Sequence, residues 1–215
     1  MGLVRSALDV IKRARRPFAI LNFAYFGLVV CAMAFTALNP SLNAALLEAV
    51  GQSLSEGPLA PVLEAYLAKR VVLATALTVG INLAVGSFVT ITLPSLIVPF
   101  SGLLMAALRA LTWGVLFSPQ TVPQIGAAEL AAGLAIAILV FLEGEAYVLA
   151  ALGAFLHGRA FLRPRSVGLQ GHVRGYWEGL RIQARIYVLV ALNLLLAAIY
   201  EVAIAVFAIP ALRGP

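Results

Sequence analysis

Long uninterrupted runs of apolar residues constrain this chain more than any other feature. Crossing a hydrocarbon core about 30 Å thick takes about 20 helical residues, and backbone surrounded by lipid must satisfy its own hydrogen bonds. Apolar runs of that order extend from Phe18 to Leu38, Val71 to Phe117, Ile125 to His157 and Ile186 to Ile209. The composition agrees: 62% of residues are hydrophobic and 11% charged, against about 45–50% and about 25% in soluble domains. The expectation is an all-α polytopic transmembrane helix bundle. With 215 residues, one bundle over residues 1–215 leaves no room for a separate soluble domain.

The longest run is too long for one span, and prolines mark its division. Pro94 and Pro99 in "TLPSLIVPF" lack the backbone donor that continues a helix. Val71 to about Leu93 and about Phe100 to Phe117 are therefore separate spans. Pro94, Pro99, Ser101 and Gly102 form a helix break or re-entrant element, because uncharged irregular backbone at membrane depth needs protein or water around it. Five spans result. The run after the polar loop 118–124 exceeds a bilayer core and either tilts or breaks, with Gly144 in "FLEGEAY" the weak point. Pro210 stops the last span.

The remaining segments are interfacial. Residues 1–17 form a basic leader carrying Arg5, Lys12, Arg13, Arg15 and Arg16. Residues 39–70 hold two amphipathic cap helices, broken at Gly57, Pro58 and Pro61, and residues 159–185 are basic, with Tyr176 and Trp177 suited to the headgroup layer. Arg159, Arg163, Arg165, Arg174, Arg181 and Arg185 fall in that second segment. Lysine and arginine favour the cytoplasmic side. Five spans put both basic segments there, with the N-terminus inside a cytoplasmic (inner) membrane and the C-terminus outside; Lys69 and Arg70 dissent. The net charge of +6 then reflects topology and anionic lipid, not nucleic acid.

Ionisable groups inside the apolar runs are the candidate functional residues, since each costs about 2.5–3.5 kcal/mol on insertion scales unless it faces the bundle interior. They are Arg109 in "LLMAALRALTWG", Glu143 and Glu145 in "FLEGEAY", and Glu201 in "AAIYEVAIAVFAIP". Arg109 lies eight residues before Phe117 and Glu201 eight before Ile209, so the two share a depth and are expected to pair. Glu143 and Glu145 project about 200° apart on a helix, so one faces the core and the other a second environment. Asn82 and Asn193 are candidates for interhelical hydrogen bonds. The small-residue face from Gly80 to Gly86 can pair with a neighbouring helix or a second copy of the chain. Read together, these groups are either buried glue or an ion path, and their scarcity favours glue.

Motifs for chemistry are missing from the sequence. There is no HExxH, P-loop or GxSxG, and His157 and His172 stand fifteen apart, so no metal, cofactor or catalytic residue is expected. His157 reads as an interfacial residue at a helix end. The single cysteine, Cys31, has no partner for an internal disulfide and reads as helix filler, Val30 before it arguing against lipidation.

Three local features carry a family resemblance. Asn82 is followed by Ser101-Gly102 opening the next helix; "EGEAYVLAALGAF" keeps Gly144 and a small-residue continuation; and "LLLAAIYEVAI" embeds Glu201 in the final span. Over roughly Val71 to Ile209 the chain resembles the stage II sporulation protein M family of bacterial and archaeal integral membrane proteins. It departs from that family in carrying Glu143 where histidine is frequent, Tyr147 in place of glutamate and Ser101 in place of asparagine. The resemblance implies a non-enzymatic membrane scaffold or complex subunit that recruits or stabilises other membrane or envelope proteins, as the namesake recruits peptidoglycan-remodelling enzymes. That is the preferred expectation; a transporter or channel subunit using the intramembrane charges as an ion or solute path is the competing one, and an intramembrane enzyme is the third.

Overall fold

A computed structural model describes residues 2–57, 59–118 and 127–208, with side chains from 130 in the last of these. Every regular element among the described residues is helical: α1 (Gly2–Arg13), α2 (Arg15–Ala37), the short α3 (Pro40–Ser55) and α4 (Ala60–Leu67), α5 (Val71–Ile97), α6 (Ser101–Leu116), α7 (Ala127–Leu162) and α8 (His172–Ala203), which runs on through a π turn, Ile204–Ala208. Among the described residues, α2, α5, α7 and α8 are long and apolar enough to cross a membrane, while α6 has 16 residues. The chain is an all-helical membrane protein.

Side-chain contacts fix the direction of each helix. Leu21 meets Leu103 around a small void, while the Ser118 hydroxyl donates to the Met33 carbonyl at 3.2 Å, so α2 and α6 run parallel. Gly102 packs on Ala154 and Arg109 reaches Tyr147, which makes α7 antiparallel to α6. Asn193 donates to the Leu142 carbonyl at 3.1 Å and Tyr200 to that of Ala135 at 3.2 Å, which makes α8 antiparallel to α7. Including α5, the helices alternate in direction through the bundle, and the short α6 covers the depth from Leu21 to Met33 on α2. One end holds α3 and α4 and is called here the cap end; the other holds α1, the α5–α6 turn and the start of α8, and is the basic end. Asn43 of α3 donates to the carbonyls of Val115 and Leu116 at 2.7 and 3.2 Å, supplying partners for the open carbonyls that end α6.

Two local expectations, at Pro94 and at the start of the last span, are corrected, and two points left open by the sequence, at Gly144 and in the leader, are decided. Pro94 does not end its helix: α5 passes through Asn82–Thr92 as a π-helix and continues in α form through Leu93–Ile97. A proline ring collides with the carbonyl four residues back in an α-helix; here the Leu93 amide bonds to Phe88, five back, so the helix widens ahead of the ring. The break comes at Val98 to Phe100, where Val98 is extended and Phe100 has φ +70°. Pro99 sits in that reversal, and Ser101 and Gly102 open α6, the Gly102 amide donating to Ser95 Oγ at 2.6 Å. Second, α7 is unbroken at Gly144, whose missing side chain lets the Phe26 ring approach; an added Cβ would stand 2.8 Å from it. Third, the basic segment after Gly171 and the last span are one helix, α8, because the polar face of "VRGYWEGLRIQAR" runs straight into the apolar run. Fourth, the leader is an amphipathic helix, with Ala7 buried and Val10 and Ile11 against the core while Leu3 and Leu8 are exposed. Pro210 lies outside the described residues.

The core follows α7. Tyr147, Leu152, Ile186, Val190 and Leu194 are fully buried, with alanines between them. Small residues permit this closeness: a Cβ on Gly175 would collide with the Ala160 carbonyl, and one on Gly158 would stand 2.9 Å from the Phe100 ring. Van der Waals packing of that kind replaces the hydrophobic drive that lipid removes.

Candidate functional site

Three of the four ionisable residues of the apolar runs, Arg109, Glu143 and Glu201, converge toward the cap end. Glu143 on α7 is 5% exposed. Its Oε1 accepts from Asn82 Nδ2 at 3.0 Å, and its Oε2 accepts more weakly from the Tyr147 hydroxyl at 3.4 Å. That hydroxyl in turn accepts from Arg109 Nη2 at 2.7 Å. Glu143 and Tyr147 are four apart and so share one helix face. The guanidinium lies 4.0 Å from the Tyr147 ring centroid and 5.8 Å from that of Trp113. Desolvated cation–π contacts of this type contribute about 2 kcal/mol. Gly86, inside the π-helix, makes room: a Cβ there would stand 3.0 Å from Arg109 Nη2 and 3.1 Å from the Tyr147 hydroxyl.

Among the described residues no salt bridge joins Arg109 to Glu201, which corrects the pairing expected from their common depth. Depth is shared, but the Tyr147 ring holds the arginine toward α7. Glu201 instead has the Tyr66 hydroxyl and the Glu143 carboxyl as its polar neighbours. Tyr66 belongs to α4, at the cap, and also meets the Thr78 hydroxyl at 3.2 Å. Burial first, and then the Glu201 carboxylate, push the Tyr66 hydroxyl up, so it remains a neutral donor.

These side chains border a cavity of about 280 Å³ lined by Leu54, Leu59 and Val62 of the cap region together with Thr78, Asn82, Arg109, Glu143 and Glu201. One guanidinium shares the site with two carboxyl groups that are hydrogen-bonding neighbours. A bond between two carboxyl groups takes a proton on one of them, so the site holds one cation, one carboxylate and one acid proton that a small cation can replace. The Arg109 Nε is buried without a protein partner.

The other residues expected to take part are placed elsewhere. Asn193 bonds to the α7 backbone, as an interhelical tie. Glu145, half-buried on α7, belongs neither to the network nor to the cavity wall. His157 is not at an interface: it is 0% exposed, edge-on to Tyr176 at 4.8 Å, and close against Gly179.

A second polar group, deeper in the bundle, was not singled out from the sequence. Ser87 Oγ and Thr92 Oγ1 both meet the Tyr187 hydroxyl, at 2.9 and 2.6 Å, and Gln183 Nε2 donates to Thr92 Oγ1 at 3.0 Å. The signal was there in part. Gln183 and Tyr187 are four apart, one α-helical turn, while Ser87 and Thr92 are five apart, which shares a face only where the helix is π.

No family model, no curated protein and no solved structure matches this chain. Function is therefore read from the site.

Proposed function

We propose that this chain is a transport-type membrane subunit that binds a small cation or protonated solute in the cap-end cavity. The observation that carries the reading is the cavity wall itself: Asn82, Arg109, Glu143 and Glu201, from four different helices, line one cavity. Intramembrane ionisable groups that converge on a water-accessible space mark ion and substrate routes. No step in this reading is catalytic. The basic end faces the cytoplasm of an inner membrane, with anionic lipid around it.

Purified protein in liposomes is the direct test. Saturable uptake of sodium or methylammonium that Glu201→Gln abolishes is the expected result; uptake no faster than in protein-free vesicles overturns it.

A second reading, a scaffold or complex subunit as the resemblance to the stage II sporulation protein M family implies, is favoured by a different observation. The Asn82–Glu143–Tyr147–Arg109 chain closes largely on itself, as a network that fixes packing does. Recovery of a stoichiometric membrane or envelope partner from native membranes, without uptake, would select that reading.

A further inference from the structure

We propose that the cap-end cavity exchanges one proton for one monovalent cation, the proton leaving Glu201 as the cation takes its place beside Glu201 and Glu143; this deepens the cavity reading above and rests on it. Hydrogen-bond accounting places the proton. Glu143 accepts on both of its oxygens, from Asn82 Nδ2 at 3.0 Å and from the Tyr147 hydroxyl at 3.4 Å, and the ionised carboxylate is the acceptor-only form that suits both bonds. Arg109 Nη2 donates to the Tyr147 oxygen at 2.7 Å, which turns the phenolic hydrogen toward Glu143. The polar neighbours of Glu201 are the Tyr66 hydroxyl and Glu143 itself, and Tyr66 also meets the Thr78 hydroxyl at 3.2 Å. A carboxyl group bonded to a carboxylate is the donor of that bond, so Glu201 holds the proton.

Charge balance decides what replaces that proton. With Arg109 cationic, Glu143 ionised and Glu201 protonated, the cavity carries no net charge. A monovalent cation in place of the proton keeps the sum at zero. An empty, fully ionised pair leaves one negative charge uncompensated, and a divalent cation leaves one positive. Either imbalance is costly, because the rest of the wall is largely apolar, with Leu54, Leu59, Val62, Ile81, Leu116 and Leu139, and a lone charge in such surroundings is penalised. The cavity of about 280 Å³, against roughly 30 Å³ for one water, takes a small ion with part of its hydration shell. In the exchange the O–H bond of Glu201 breaks, the proton leaves to water and the freed carboxylate takes the cation together with Glu143; no electron moves. The ionisable groups facing the pair are Arg109 from α6, Tyr147 from α7, Tyr66 from α4 and Tyr25 from α2, and of these Arg109 carries a fixed charge.

The test uses the full chain in detergent, titrated calorimetrically with sodium, methylammonium or calcium chloride against choline chloride as the inert salt. Two buffers of different ionisation enthalpy make the heat report both binding and protons released. One proton released per sodium or methylammonium bound is the expected result. Affinity should fall about tenfold for each pH unit of acidification while the site is protonated, and calcium should bind far more weakly. Glu201→Gln, which keeps the shape and removes the exchangeable proton, should release none, with thermal melting reporting its fold. In liposomes, sodium entry should drive proton exit at a rate that clamping the potential with valinomycin and potassium leaves unchanged. Wild-type binding of sodium or methylammonium with equal heat in both buffers, or proton release undiminished in folded Glu201→Gln, would overturn the exchange and leave the cavity reading standing. Absence of binding by either cation would sink the cavity reading and this proposal with it.

Discussion

The two halves of the bundle solve the same problem, helices meeting in lipid, in opposite ways. Toward the basic end the helices meet through glycine and alanine: Gly175 on the Ala160 carbonyl, Gly158 on the Phe100 ring and Gly179 on His157. Toward the cap end α2 and α6 still meet closely at Gly114, but α5, α6, α7 and α8 leave a cavity among Asn82, Arg109, Glu143 and Glu201. Close packing satisfies a helix without water, whereas charges at membrane depth need partners and hydration. The π-helix of α5 joins the two regimes, because its wider turns bring Gly86 under the arginine and Ser87 and Thr92 onto one face.

Substitutions can break that contrast, and the largest effect belongs to the charged half. Glu143→Ala removes the acceptor of Asn82 and of the Tyr147 hydroxyl that in turn holds Arg109 and should cost about 1–3 kcal/mol for each of the two buried donors left unsatisfied, read as unfolding in detergent; Glu143→Gln should cost much less. In the packed half, Gly175→Ala pushes a methyl against the Ala160 carbonyl and should cost about 1–3 kcal/mol. Gly80 offers the opposite control, since nothing lies within 4 Å of its added Cβ; Gly80→Ala should stabilise by about 0.4–1 kcal/mol. Similar in size but opposite in sign is Asn193→Ala, which removes one interhelical bond to Leu142 and should cost about 0.6 kcal/mol, the average for such bonds in membranes. Equal costs for Gly175→Ala and Gly80→Ala would remove the distinction between the halves.

Much of this was legible in the chain. The long apolar runs gave the helices and the membrane, because only continuous hydrophobicity crosses lipid unaided. Arg109, Glu143 and Glu201 stood out for the same reason, and three of the charged candidates do line one cavity. Their partners did not follow from depth. Helix depth is one coordinate, and pairing also requires azimuth, which the π turns of α5 and the Tyr147 ring decide. Pro94 misled because the sequence shows a missing donor but not the widened turn that absorbs it. The Ser87–Tyr187–Thr92–Gln183 row was hidden since serine, threonine and tyrosine are unremarkable in membrane helices until two of them share a face. Glu145 shows the converse: an acid conspicuous in sequence takes no part in the network.

Cysteine accessibility tests the contrast between the halves most directly. With the exposed Cys31 replaced by serine, single cysteines at Thr78, in the cavity region, and at Leu152, fully buried in the packed half, would be exposed to a membrane-impermeant thiol reagent from the cap side of oriented vesicles. Fast labelling of Thr78→Cys, slowed by a bound cation, with no labelling of Leu152→Cys is the expected result. Equal protection of both positions, or labelling of Thr78→Cys only from the basic side, would contradict an open, charged cavity beneath the cap.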